Sequence, residues 1–237
     1  MVLQYFVNFD YLAYVQGAPK SPENYLAAHR KSRDDRFRLF GKQPKVEDVR
    51  IMIAALESRS AFHSVLADEL TRQGFDFEFD YTEGITIGEK REKMYKRCRS
   101  TYCIQLDDDD WISHDFGPRI YEALRAYHGV DCLVYNELVF MNDDQPTFTM
   151  WGLEFDIGRT QEGFFVFSPG PKMCIKTEIA QRIPFQYINK GEDMAFREAI
   201  KPFLKTQIRL PGWHITYEYT SKGTSTGSQE HQIGERP

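Results

Sequence analysis

The most chemically suggestive segment of this sequence is a run of four consecutive aspartates at residues 107–110. An apolar stretch precedes it at residues 102–106, and Trp111 and Ile112 follow it at once. Adjacent carboxylates repel one another, and apolar neighbours on both sides should hold them near the body of the protein. A solvated acidic loop is the commoner interpretation of such a run taken alone. A bound cation would relieve the repulsion, so the run is also a candidate metal site.

Oxygen ligands from aspartate side chains favour hard cations such as Mg²⁺ or Mn²⁺, which usually keep part of their coordination shell for substrate phosphates. Side chains alternate along an extended chain, so Asp107 and Asp109 should point away from the strand end on the same side. Such a pair can hold an ion that clamps a diphosphate and stabilises it as a leaving group. We expect one aspartate of the run to reach the ion and a neighbour to reach the ribose of a nucleotide.

Two further sets of charged residues can meet the acidic run at one site. A helix predicted at about residues 88–99 has Arg91 on its core-facing row, whereas Lys90 and the other basic residues of the stretch are expected mostly to point into solvent. A buried arginine needs a partner, so Arg91 should either pair with Asp80 or face a carboxylate, a carbonyl or a phosphate. Glu192 and Asp193 begin a later helix, where acidic residues complement the helix dipole. A carboxylate that faces the same crevice is also a suitable general base.

Apolar patterning predicts that these groups lie on an α/β sheet. Strands and helices alternate from residue 49 to about residue 135, which favours a sheet that is parallel in its N-terminal part and mixed beyond it. Ligands bind at the carboxyl ends of parallel strands, where this sequence has polar groups after three strands. Strands are expected at residues 49–56, 75–81, 102–106, 132–135, 148–154, 164–167, 173–176, 208–210 and 215–219, and helices at residues 58–73, 88–99, 116–127, 177–182 and 191–200.

Length, charge and cysteine use narrow the class of protein. The 237 residues include 41% hydrophobic and 14% aromatic residues, enough for a substantial core. A net charge of −5 does not indicate broad electrostatic capture of nucleic acid. The four cysteines lack C-x-x-C spacing and are typical of core residues in a reducing compartment. With no basic leader and no run of about 18 apolar residues, the sequence predicts a cytoplasmic protein without a membrane span.

The sequence divides into three parts. Residues 1–48 form a predicted appendage, aromatic and helical at first and then basic between residues 30 and 45. Residues 49–220 carry the α/β pattern, and residues 221–237 are rich in serine, threonine and glycine, which predicts a flexible tail. The appendage either packs its aromatic side chains on the main domain or binds an acceptor or another subunit.

Several motifs together resemble glycosyltransferase family 2, whose members have the GT-A fold. Gly-Glu-Lys-Arg at residues 88–91 precedes the four aspartates, and Gly-Glu-Asp at residues 191–193 is similar to the E-D motif of the family. Residues 215–219 resemble its terminal L-Y-x-Y strand, and the similarity covers about residues 49 to 220. Glu92 stands where many members have asparagine, and residues 171–174 lack a histidine that is often found there.

The resemblance implies a Rossmann-like α/β fold of the GT-A type and an inverting transfer from a nucleoside diphosphate sugar, a UDP-sugar, with Mn²⁺ or Mg²⁺ as cofactor. By motif position, Asp193 is implied to be the general base, and Asp109 and Asp107 are implied to hold the metal. Implied donor contacts are Ala54, Glu57, Asp80, Arg91, Asp107 and Asp108.

A few polar and aromatic residues have two open interpretations each. His214, just before the last predicted strand, is either a further metal ligand or diphosphate contact, or a partly exposed histidine at a strand start. Trp151 and Trp213 either stack on an acceptor or pack in the core. Glu192, beside the implied base, is assigned to the acceptor side.

Two other classes of function fit the same residues. A metal-dependent nucleotidyltransferase would release pyrophosphate, and a binding module would keep the fold without turnover. The acceptor class stays open between a glycan, another hydroxyl-bearing molecule and nucleic acid such as a modified DNA base. The basic segment at residues 30–45, with Arg97 and Arg99, is the feature that favours nucleic acid. The sequence makes no prediction of oligomeric state.

Overall fold

The computed structural model describes residues 48–141 and 147–219. The predicted appendage up to residue 47 and the predicted tail lie outside the described residues. The strands are β1 (Val49–Ala54), β2 (Asp76–Asp80), β3 (Tyr102–Asp107), β4 (Trp111–Ile112), β5 (Cys132–Met141), β6 (Thr147–Trp151), β7 (Gly158–Arg159), β8 (Phe165–Phe167), β9 (Cys174–Lys176) and β10 (Gln207–Tyr219). The helices are α1 (Ser60–Arg72), α2 (Ile87–Arg97), α3 (Phe116–Ala126), α4 (Thr177–Ala180) and α5 (Glu192–Ile200), with 3₁₀ turns at Glu57–Arg59 and Lys201–Phe203.

One mixed sheet organises this part of the chain. Its strand order is β2-β1-β3-β9-β5-β6-β8-β7, and β10 pairs with both β5 and β4. β1 is parallel to β2 and β3, whereas β9 runs antiparallel to β3 and β5. The predicted α/β sheet, parallel in its N-terminal part and mixed beyond it, is therefore confirmed. Within the described ranges, no helix has both the length and the apolar character that crossing a bilayer requires.

The central strands are buried on both faces, as their continuous apolar sequences predict. Ile51 and Ile53 in β1 and Ile104 and Leu106 in β3 are all inaccessible to solvent. Helix α2 begins after Thr86, whose hydroxyl accepts a hydrogen bond of 3.2 Å from the backbone N–H of residue 89. Its inner row is buried against the sheet, as the helical spacing predicts, and includes Arg91, Met94 and Cys98.

The strand register brings three chain segments to one edge of the sheet. Ala54, the last residue of β1, lies opposite Asp80 of β2 on one side and Asp107 of β3 on the other. Because all three strands are parallel, their carboxyl ends meet there, and the chain segments that follow them can contribute to one site. The predicted convergence of these strand ends is confirmed.

The C-terminal half departs from the predicted pattern. The strands expected at residues 208–210 and 215–219 are one continuous strand, β10, with an irregular register between Arg209 and Ile215. Pro211 and Gly212 lie within this irregular stretch, and Gly212 has a φ of 99°. These two residues are typical strand breakers, which explains why the sequence predicted two separate strands. Strands β6 and β8 pair in parallel, and β7, which lies between them in the sequence, pairs antiparallel with β8 on its other side. β4 and β7 have only two residues each, too short for a period to be read from the sequence.

A buried ion pair ties the end of α1 to the residues that follow β4. Glu69 and Arg72 have fully buried side chains, and Arg72 Nη2 donates to Glu69 Oε1 at 2.8 Å. The same nitrogen donates to the carbonyl of His114 at 2.7 Å. Gln73 Nε2 donates to Glu69 Oε1 and to the carbonyl of Ser113, both at 2.7 Å. The network therefore anchors the chain just after the acidic run.

Replacing Arg72 with methionine should lower the free energy of unfolding by about 3–5 kcal/mol, because Glu69 would keep a buried charge and lose its ion-pair partner. Equilibrium unfolding in urea measures the change. Arg50→Gln is the matched control, since Arg50 pairs with Asp76 at 2.7 Å but both side chains are partly exposed. A surface pair of this kind contributes about 0–1 kcal/mol. Similar losses from the two variants would contradict the assigned role of the buried pair.

Candidate functional site

A buried arginine connects the acidic run to the start of helix α5. Arg91 Nη2 donates to Asp107 Oδ1 at 2.7 Å, and its Nε donates to Glu192 Oε1 at 3.1 Å. Its side chain is only 6% exposed. Burial opposes the charge, but the two carboxylates outweigh it and raise the pKa of Arg91 above its ordinary value. Of the two predicted alternatives for Arg91, the structure therefore shows contacts with carboxylates near the strand ends and not a pair with Asp80.

The four aspartates divide into two that face the crevice and two that face the interior. The Asp107 side chain is 27% exposed and that of Asp109 is 6% exposed, whereas those of Asp108 and Asp110 are fully buried. The exposure alternates as predicted, but the cause is a turn and not extended backbone: β3 ends at Asp107, and the N–H of Asp110 donates to the carbonyl of Asp107 at 3.1 Å. Only the first and third carboxylates of the run can therefore reach a ligand without rearrangement.

Every carboxylate of the run contacts a basic side chain of the protein itself. The repulsion that suggested a bound cation is therefore relieved, at least in part, by the chain's own charges. The contacts are Asp107 with Arg91, Asp108 with Arg59 and His63, Asp109 with Arg59, and Asp110 with Lys172. The sequence did not single out Arg59, His63 or Lys172, and the available signals were a cation shortly after β1 and a lysine shortly before β9.

Two of the predicted donor contacts also hold the strand ends in place. Asp108 Oδ2 accepts from the backbone N–H of Leu56 at 2.8 Å and lies 2.9 Å from His63 Nε2. Asp80 Oδ1 accepts from the backbone N–H of Thr82 at 2.8 Å, and its Oδ2 lies 2.7 Å from Arg97 Nη2. Asp108 Oδ1 lies 2.9 Å from Arg59 Nη2 but, like Asp109 Oδ1, has no hydrogen-bond partner among the described residues, so donor binding by Asp80 and Asp108 stays a prediction.

The other residues predicted to contact the donor near the strand ends differ in solvent exposure. Ala54 is buried beneath the crevice, and Glu57 is exposed in the 3₁₀ turn beyond it. Lys90, expected from its helical position to point into solvent, is instead buried. Its long stem lets the ammonium reach the carbonyls of Ala55 at 3.1 Å and Asp80 at 3.2 Å, where it joins the ends of β1 and β2.

The last aspartate of the run, Asp110, bonds back to the backbone of the first. Asp110 Oδ2 accepts from the backbone N–H of Asp107 at 2.8 Å, and its Oδ1 accepts from Lys172 Nζ at the same distance. Lys172 also donates to Glu137 Oε1 at 3.0 Å. Burial raises the pKa of Asp110 to about 8, although Lys172 acts in the opposite direction. Asp110 therefore fixes the shape of the acidic loop from inside.

Asp109 has the properties of a metal ligand. Its Oδ2 accepts from Arg59 Nη1 at 2.8 Å, while its Oδ1 is buried and has no hydrogen-bond partner among the described residues. Burial raises the pKa of Asp109 to about 6 despite Arg59. Residues 48–141 and 147–219 contain no group of three or more histidine, cysteine, aspartate or glutamate side chains that could hold a metal. Mg²⁺ and Mn²⁺ often take one or two protein carboxylates and complete their shell with phosphates and water, so the donor atoms of Asp109 and Asp107 are chemically compatible with such an ion.

His214 does not fit the role of a metal ligand. Its Nδ1 lies 2.7 Å from Ser113 Oγ, and its Nε2 lies 2.8 Å from the carbonyl of Pro211. The ring is 1% exposed and packs against Phe116 and Tyr135. Burial lowers the pKa of His214. Both interpretations drawn from the sequence fail, because this histidine is a hydrogen-bonded core residue.

The start of α5 has one buried and one accessible carboxylate. Glu192 is buried on Arg91, whereas the Asp193 side chain is 41% exposed. Arg197 holds Asp193 from one turn later, with Nη2 3.0 Å from Asp193 Oδ2 and Nε 3.2 Å from its carbonyl. The Arg197 guanidinium lies 4.5 Å from the ring centre of Phe167 and 5.3 Å from that of Trp151. The Asp193 carboxylate is therefore accessible to a ligand, while Arg197 holds its orientation.

The two tryptophans predicted for the acceptor side have different outcomes. Trp151 is 5% exposed and packs against Phe167, with ring centres 5.3 Å apart, so it supports Arg197 and does not offer a face to an acceptor. The side chain of Trp213 lies outside the described part of the structure.

A glycine allows helix α2 to approach the segment before α5. A Cβ added at Gly88 would lie 1.9 Å from the carbonyl oxygen of Gln186 and 3.3 Å from Glu192 Cβ. Any larger residue would push the two segments apart. The close approach places Arg91, one turn later on α2, within reach of Glu192.

Comparisons with known proteins give a likeness among solved structures only. No family model and no curated protein matches the sequence. Similar structures include TarS of S. aureus, residues 1–349, and its complexes with UDP-GlcNAc and with UDP. Each has 11% sequence identity and a TM-score of 0.48, over 72% of this chain and 60%, 58% and 60% of those chains respectively. This chain thus matches less than two thirds of the length of each.

Proposed function

We propose that this chain is a glycosyltransferase that moves a sugar from a nucleoside diphosphate donor, a UDP-sugar, to an acceptor hydroxyl with inversion, using Mg²⁺ or Mn²⁺. The observation that carries the proposal is the double contact of Arg91. One guanidinium joins Asp107, at 2.7 Å, to Glu192, at 3.1 Å, although these carboxylates are far apart in sequence. The proposed donor side and the residue next to the proposed base therefore share one buried cation.

The proposed reaction is a single displacement. The bond between the anomeric carbon and the diphosphate oxygen breaks, and its electron pair stays on the departing nucleoside diphosphate. The acceptor oxygen forms the new bond from the opposite face, and its proton passes to the carboxylate of Asp193. A divalent ion bound by Asp109 and Asp107 would supply positive charge to the leaving diphosphate.

Two features of this chain support Asp193 as the base. Its side chain is accessible, which a base that meets an incoming hydroxyl requires. Arg197 holds it in one orientation, and the aromatic rings of Trp151 and Phe167 hold Arg197 in turn. A carboxylate that is already oriented lowers the entropic cost of reaching a reactive geometry. Glu192 is less suited to the role because it is engaged with Arg91.

A glycan or another hydroxyl-bearing molecule is the proposed acceptor. The basic segment that favours nucleic acid falls before residue 48, outside the described residues. The four cysteines are all buried and free, as expected in a reducing compartment. We therefore propose the cytoplasm as the site of action.

Donor binding should be visible as a rise in melting temperature. Nucleotide sugars and their parent nucleotides, screened one at a time with Mn²⁺, should stabilise the folded chain by mass action, with the UDP compounds giving the largest shift. The same compounds with EDTA are the control and should give a much smaller shift. No shift from any nucleotide sugar would contradict the proposal.

The product identifies the class of reaction. Release of a nucleoside diphosphate with transfer of the sugar is expected. Release of pyrophosphate would instead indicate a nucleotidyltransferase, and tight binding without any product over hours would indicate a binding module.

A further inference from the structure

Arg59 lies against the carboxylate that the proposed function gives to the metal. Its Nη1 is 2.8 Å from Asp109 Oδ2, and its Nη2 is 2.9 Å from Asp108 Oδ1. The arginine side chain is 15% exposed, and it lies in the 3₁₀ turn that directly follows β1. The guanidinium therefore neutralises the middle of the acidic run from the crevice side.

A divalent ion and this guanidinium would compete for the same charge. An ion coordinated by Asp109 would bring two positive charges next to Arg59 in a poorly hydrated site, where like charges repel strongly. Asp109 can offer Oδ1 to the ion while Oδ2 keeps Arg59, but the two cations would then share one carboxylate at close range. Their repulsion favours a shift of Arg59 when the ion binds.

The surroundings of Arg59 keep part of their contacts when it moves. Asp108 Oδ2 keeps the backbone N–H of Leu56 and the ring of His63, and only its Oδ1 loses a contact, that with Arg59 Nη2 at 2.9 Å. Arg59 Nε is buried and lacks a hydrogen-bond partner within the described part of the chain, so its present position satisfies it incompletely. Arg59 is the ion-pair partner of Asp109 among the described residues, so the arriving ion would replace it there.

We propose that Arg59 is a further donor-binding residue that occupies the position of the divalent ion's charge until donor and ion arrive, and then moves to the donor diphosphate. The inference rests on the proposed function. Guanidinium groups bind phosphate oxygens through paired N–H donors. The exchange replaces an arginine–carboxylate contact with an arginine–phosphate contact, so that ion and donor bind more favourably together than either does alone.

The test uses the full chain and two separate ligands. Mn²⁺ alone is titrated with detection of the free ion by electron paramagnetic resonance, and UDP is titrated by calorimetry at saturating Mn²⁺. In Arg59→Gln, the affinity for Mn²⁺ alone should rise about tenfold because the competing charge is gone. The affinity for UDP at saturating Mn²⁺ should fall by about tenfold or more because a charged contact to the diphosphate is lost.

Two further variants keep the result interpretable. Arg59→Lys retains the charge and loses the paired donors, so it should bind Mn²⁺ like the parent chain and UDP more weakly. Arg50→Gln, which breaks the surface pair with Asp76, should change neither affinity. If Arg59→Gln fails to fold, the lysine variant alone decides the matter, because undiminished UDP binding by that variant would overturn the inference.

The outcomes separate this inference from the proposed function. If the parent chain binds Mn²⁺ and UDP and Arg59→Gln leaves both affinities unchanged, Arg59 is only a structural counter-ion and the inference is wrong while the proposed function stands. If the parent chain binds neither ligand, the proposed function and this inference fall together. A tighter Mn²⁺ site combined with weaker UDP binding is the pattern that supports Arg59 as a donor ligand.

Discussion

Replacing Asp193 with asparagine is expected to slow sugar transfer by about 10²–10⁴-fold while the affinity for UDP and Mn²⁺ stays the same. Asparagine cannot accept the proton of the acceptor hydroxyl. Its amide oxygen can still accept the hydrogen bond from Arg197 that Asp193 Oδ2 accepts at 3.0 Å, so the start of α5 should keep its structure. Initial rates of UDP release with acceptor measure the first effect, and calorimetry measures the second.

Two controls define what this result means. Asp156→Asn alters another acidic residue, 91% exposed and paired with Lys201, and should leave the rate unchanged. Glu192→Gln should weaken the site through Arg91 without removing proton transfer. Full activity of purified Asp193→Asn, combined with a deep loss of kcat in Glu192→Gln, would move the role of base to Glu192.

Replacing Asp109 with asparagine should abolish the dependence of donor binding on Mn²⁺ and reduce transfer to near background. Losing one of two carboxylate ligands is expected to weaken Mn²⁺ binding by about 10²-fold or more, the upper end of what altered supporting residues cost. The asparagine oxygen can still accept from Arg59, so the fold should persist. The stabilisation by UDP with Mn²⁺ in thermal unfolding is the measurement, and an undiminished shift would refute Asp109 as a ligand.

The neighbouring aspartate provides the contrast. Asp108 has a fully buried side chain that contacts Arg59, His63 and the backbone of Leu56. Asp108→Asn should therefore lower the melting temperature while the folded fraction retains its affinity for UDP and Mn²⁺. Loss of binding without loss of stability in this variant would instead support the predicted role of Asp108 as a donor contact.

Local patterns in the sequence were enough to predict the sheet and the helix that carries Arg91. The apolar run of β1 and the inner row of α2 leave few alternatives, because each must be buried on the side that its period defines. The same period wrongly predicted Lys90 to be solvated, since a lysine stem can run along the protein surface to a buried carbonyl. Periodicity predicts where a Cα lies and not where a long side chain ends.

The charge partners within the site could not be predicted in the same way. Asp110 and Lys172 are 62 residues apart, and Arg91 and Glu192 are 101 apart, so no local pattern relates them. Two acidic motifs, one at a strand end and one at a helix start, suggested a common site, and Arg91 contacts a residue of each. Which aspartates of the run face inward is set by the turn that follows β3, and which basic residues meet them depends on the packing of α1 and of the segment before β9.

The loop that Asp110 closes has a consequence for ligand affinity. Its carboxylate holds the backbone N–H of Asp107 at 2.8 Å, and Lys172 holds that carboxylate in turn. The second and fourth carboxylates thus serve as internal scaffolding for the first and third. The segment loses its conformational entropy when the chain folds and not when a ligand binds. The ligand oxygens are therefore already in place, and less of the binding free energy is spent on ordering them.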